Sequence, residues 1–167
     1  MKFTSAISLV GMPSVGKSTI GGVLAGKLGY KIFDLDSLVE EQENRSLIEI
    51  LNSLGADYFL NKEYEILKNI EKPVDRVVIS PAGSVVYHPA CVKWLKENTF
   101  VVFIRTPTET IRQRLLVQPK AVVGLGEKTL EELWKEREPM YVRMADISIE
   151  AGNRSIDEIA CEVLENL

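Results

Sequence analysis

The chain is 167 residues long and 46% apolar, enough to bury one core and short of what two domains need. Its 20 basic and 24 acidic side chains leave a net charge of −4, which argues against a basic nucleic-acid-binding face. No stretch has the length and apolarity of a membrane span, so neither a membrane nor a nucleic acid is an expected partner.

Short apolar runs then alternate with longer helical patterns. Strands are expected at 6–11 (AISLVG), 30–33 (YKIF), 76–80 (RVVIS), 99–105 (TFVVFIR) and 146–150 (DISIE). Helical periodicity fills 17–28, 37–54, 57–71, 88–98, 107–116, 129–143 and 155–166. The strand runs are continuously apolar, as a parallel sheet covered by helices on both faces requires. The expected fold is a single α/β domain, a three-layer α/β/α sandwich on a five-stranded parallel sheet. The opening MKFTSAISLV has no signal-type apolar block, and Cys91 and Cys161 lack metal-ligand spacing. A cytoplasmic protein with buried free thiols is the expectation.

The segment GMPSVGKST places Gly11, Gly16, Lys17 and Ser18 in the full G-x-x-x-x-G-K-[ST] pattern, after an apolar strand and at the start of a helix. Such a loop turns its backbone N–H groups inward around phosphates, aided by the helix N-terminus. Ser14 and Thr19 belong to the same nucleotide-binding stretch. Lys17 is expected to reach the β- and γ-phosphates of ATP, and the Ser18 hydroxyl to ligate Mg²⁺.

At FDLDS, Asp34 and Asp36 fall on the same side of an extended chain. Ser37 and Glu40 read as a capping box for the next helix, which leaves Asp36 without a structural task. Beside a Mg·ATP site one carboxylate can hold the metal, and the other can accept the proton of an attacking hydroxyl.

These motifs, with SLIEI through GADYFLNKE, EREPMY at 136–141 and GNRS near the end, resemble the shikimate kinase family over nearly the whole chain. The resemblance implies a P-loop kinase of the nucleoside-monophosphate-kinase fold, with an acceptor-binding helical segment at about 37–72 and a lid at about 117–127. It implies ATP and Mg²⁺ as cofactors, a small carboxylated metabolite as the partner, and a monomer. Matched by position, Lys17 and Ser18 serve ATP and Mg²⁺, Asp34 the metal, and Asp36 the substrate hydroxyl. Arg137 matches the arginine that grips the substrate carboxylate, and Asn153 and Arg154 fall in the loop against the adenine. On its own residues, Arg137 lies among Leu133, Trp134, Met140 and Tyr141, and reads equally as an anion clamp or as a snorkelling side chain. Pro139 is expected to disturb that helix.

Three segments depart from the family pattern. Leu60 stands where a second clamp arginine is expected, the triple-glycine turn keeps only Gly83, and Lys120, Ala121 and Val122 replace the lid's Arg-Pro-Leu. A lost arginine fork removes roughly 1.5–3 kcal/mol. Lys120 keeps the lid's charge on the substrate side as a point charge. Arg112 and Arg114 precede the lid; approach to the nucleotide, assigned to Arg114, competes with a solvated face. His88 reads as a helix-start residue, Trp94 and Trp134 as core, and the glycines of VGLG (123–126) as a lid hinge or an ordinary loop.

The expected activity is ATP-dependent phosphorylation of a hydroxyl on shikimate. Two alternatives stand beside it. A kinase for another metabolite or nucleotide shares the fold, but Arg45, Lys62, Lys68 and Lys72 face nine carboxylates between Ser37 and Asp75, a poor phosphate clamp. A nucleotide-binding regulator without transfer activity would fit the missing arginine, but not the retained Asp34, Asp36 and Arg137.

Overall fold

The computed structural model describes residues 6–70 and 76–167. Five parallel strands, β1 (Ala6–Val10), β2 (Lys31–Asp34), β3 (Val77–Ser80), β4 (Phe100–Arg105) and β5 (Ile147–Glu150), lie in the order β2-β3-β1-β4-β5. Register fixes Ile7 beside Val78 on one side and Phe100 on the other. Every residue of β1 and β3 is buried, which explains their unbroken apolar runs, whereas β2 lies at an edge and is partly exposed. All five expected strands are present, each within a residue or two of its expected ends.

The helices are α1 (Lys17–Leu28), α2 (Leu35–Glu43), α3 (Leu47–Lys68), α4 (Pro89–Asn98), α5 (Thr108–Val117), α6 (Leu130–Met144) and α7 (Ile156–Glu165). The single helix expected over 37–54 is broken. Asn44 takes a left-handed conformation (φ 51°) and ends α2, and Ser46 with Glu49 forms the capping box that starts α3. Gly55 (φ 83°) then kinks α3 where a break between two helices was expected. The last positions expected for that helix and for the acceptor segment, 71 and 72, lie outside the described residues.

Further local expectations also shift. Asp34, not Ser37, caps α2: β2 runs straight into the helix with no loop, so Ser37 sits in the first turn and donates its backbone N–H to Asp34 Oδ1 at 3.2 Å. Pro139 lies inside a continuous α6. His88 caps α4, accepting the Cys91 N–H at Nδ1. Cys91 is buried as expected, but Cys161 is exposed on α7. Trp94 is buried and Trp134 packs against Phe103. Among the described residues no helix is long and apolar enough to cross a membrane.

Candidate active site

The phosphate loop joins central β1 to α1, so its amides open at the carboxyl end of the sheet. Gly16 (φ 101°) precedes the first turn of α1, and Ser14 (φ 62°) is also left-handed, a conformation that turns successive N–H groups toward one point. Lys17 is buried and donates to the carbonyls of Gly11 and Met12, both at 2.9 Å. Burial lowers its pKa to about 8, opposed by the charge of Asp36.

The loop forms one wall of a cleft of about 390 Å³ that Asp34, Asp36, Gly83 and Lys120 also line. Ser18 Oγ donates to Asp34 Oδ2, which brings together the two oxygen ligands expected for Mg²⁺. Asp36 follows in the first turn of α2. Its Oδ1 is buried without a partner, and burial raises its pKa to about 6 against the pull of Lys17. Leu47, Ile48, Leu51 and Phe59 give the cleft an apolar wall.

A second cleft, about 500 Å³, continues past Gly16 and Thr19 between α5 and Ile156. Arg114 lines it and donates to the carbonyls of Ser14 and Val15 at 3.1 and 3.0 Å, bracing the phosphate loop from outside. Arg112 instead pairs with Glu109 and Glu131 on the surface. Arg154 pairs with Glu162 and donates to the carbonyls of Glu150 and Glu158; it and exposed Asn153 do not line either cleft.

Gly83 opens a short 3₁₀ helix (Gly83–Tyr87) after β3. A Cβ there would lie 2.6 Å from Pro13 Cδ, so the missing side chain lets this turn pack on the phosphate loop. Arg137 is fully buried behind the turn and lines neither cleft, although Val123, which it holds, lines the first. Its Nε donates to the Tyr87 hydroxyl at 3.0 Å, its Nη2 to the Val123 carbonyl, and its Nη1 has no partner. The side chain therefore does not snorkel to solvent.

Two groups escaped the sequence reading. Glu63 is wholly buried on α3; its Oε1 accepts the Ala82 N–H at 2.6 Å and its Oε2 is unpartnered. Burial and the charge of Asp36 raise its pKa to about 8. An acid inside the stripe Phe59, Leu60, Glu63, Ile66, Leu67 was the available signal. Tyr87 was the other, and its role rests on long-range contacts with α6 that no local pattern encodes.

A family model described as shikimate kinase matches residues 13–167. A shikimate kinase of Clostridium botulinum is 36% identical over 157 residues, covering 94% of this chain and 93% of the relative. One of Dictyoglomus turgidum is 30% identical over 167 residues, covering 98% and 97%. The structure of Acinetobacter baumannii shikimate kinase in complex with shikimate superposes with a TM-score of 0.87 at 27% identity, over 99% of this chain and 93% of that one. With the phosphate loop, the paired aspartates and the sheet order all falling inside alignments that run nearly end to end, this chain belongs to the shikimate kinase family.

Proposed function

We propose that the protein transfers the γ-phosphoryl group of ATP to a hydroxyl of shikimate. The observation that carries this reading is Asp36, a buried carboxylate with a free oxygen in the cleft that the phosphate loop lines. In the reaction Lys17 leaves the Gly11 and Met12 carbonyls for the phosphate oxygens. Asp36 takes the proton of the attacking hydroxyl, whose oxygen bonds to the γ-phosphorus as the bond to ADP breaks. Ser18 and Asp34 fit Mg²⁺ as hard oxygen donors, and the bound ion would neutralise phosphate charge. In this reading the free Nη1 of Arg137 takes the substrate carboxylate, α2 and α3 form the acceptor side, and segment 117–127 is the lid. The apolar wall of Leu47, Ile48, Leu51 and Phe59 suits a carbon ring better than a second phosphate. A cytoplasmic location belongs to the same reading, since ATP is supplied there.

Asp36→Asn tests the assignment. Transfer measured by coupled ADP release should fall at least about a hundredfold, while ATP affinity stays within about threefold of wild type by the order of these effects. Weakened ATP binding with normal turnover would remove Asp36 from the chemistry. Turnover of a nucleoside monophosphate and of no hydroxy acid would remove shikimate as the acceptor.

A further inference from the structure

Tyr87 ends the 3₁₀ turn after β3 and holds two adjacent residues of α6. Its hydroxyl accepts from Arg137 Nε at 3.0 Å and donates to Glu136 Oε1 at 2.6 Å. Its ring lies under the Arg137 guanidinium, 4.9 Å from the carbon centre. The other carboxylate oxygen of Glu136 pairs with Lys128, and Arg137 Nη2 holds the carbonyl of Val123. Both ends of segment 123–128, which carries left-handed Gly124 and Gly126, are thus fastened through this one cluster.

A guanidinium offers five N–H donors in a rigid plane, so two of its nitrogens fixed determine where the third points. Arg137 has Nε and Nη2 fixed and is buried with Nη1 unpaired. No carboxylate pairs with it among the described residues, so the aromatic face and hydroxyl of Tyr87 hold the cation in place of a counter-ion. We propose that Tyr87 is a positioning residue that aims the free N–H groups of Arg137 at the acceptor carboxylate and ties that aim to segment 123–128. The proposal rests on the reading that Arg137 receives this carboxylate.

Tyr87→Phe keeps the stacked ring and removes only the hydroxyl, so the fold should survive. With ATP saturating, the KM for shikimate should rise about tenfold, the effect of one hydrogen bond to a charged group. The kcat and the KM for ATP should stay within about twofold, a split that general destabilisation would not produce. Amides of 123–128 should exchange with deuterium faster in the variant, and shikimate should protect them less. Arg137→Lys, run in parallel, separates the two layers. A raised shikimate KM in Arg137→Lys with unchanged KM and exchange in Tyr87→Phe would overturn the role of Tyr87 and leave the carboxylate reading standing. An unchanged shikimate KM in both variants would overturn the carboxylate reading, and the proposal with it.

Discussion

Asp36 lines the cleft and Glu63 is buried behind Ala82, which lines it too; burial raises the pKa of both carboxyls, and the charge of Asp36 raises that of Glu63 further. Asp36 at about 6 is ionised at neutral pH and able to accept a proton, so activity should fall as pH drops through 6. Glu63 at about 8 is neutral there. Below 4.5 its carboxyl is protonated in both folded and unfolded chains and costs nothing. Between 4.5 and 8 the unfolded chain releases the proton and the folded one keeps it, so stability declines as pH rises. Above 8 the full penalty remains. Glu63→Gln keeps an oxygen for the Ala82 N–H and removes the titration. Its urea midpoint should match wild type near pH 4 and exceed it at pH 9; equal midpoints at both pH values would show that Glu63 does not titrate on unfolding.

Two junctions between elements set the catalytic geometry. The direct passage from β2 into α2 makes Asp34 at once the helix cap and the partner of Ser18, and places Asp36 in the first helical turn. The approach of the 3₁₀ turn to the phosphate loop depends on Gly83, where a Cβ would meet Pro13 Cδ at 2.6 Å and its backbone N at 2.9 Å. Neither atom is the end of a flexible chain, so Gly83→Ala must push the loop away. ATP affinity should drop about tenfold or more, with a loss of about 1–3 kcal/mol in stability typical of overpacking; wild-type ATP titration in that variant would show that the loop adapts. The phosphate loop and the strands were legible because their signals are local and periodic. The helix break at Asn44 was written in the Ser46–Glu49 capping box, yet continuous apolar spacing through 37–54 masked it. Ser37 misled because its own box pattern is sound; only the missing loop after β2 moved the cap to Asp34. Glu63 and Tyr87 stayed hidden because their partners, Ala82 and Arg137, lie 19 and 50 residues away.

Across the whole molecule, the sheet order brings the two clefts to one edge, and Lys120 lines both of them. Its charge acts on Lys17 and on Asp36, one from the nucleotide side and one from the acceptor side. A cation shared in this way makes the two occupancies interdependent. If segment 117–127 is the lid proposed above, phosphate beside Lys120 should draw it toward the acceptor, and a bound acceptor anion should do the same in reverse. Coupling of this kind is a free energy, so the factor by which a non-hydrolysable ATP analogue tightens shikimate must equal the factor by which shikimate tightens the analogue. Calorimetric titrations in both orders should give one factor, of about 5–150-fold if the coupling is of ordinary size. Lys120→Gln should bring that factor toward unity while each ligand, titrated alone, keeps most of its affinity, because the phosphate loop and Arg137 remain intact. Full coupling in the variant would place the communication in the phosphate loop itself, through Ser14 and Arg114, and leave Lys120 as a solvated residue of segment 117–127.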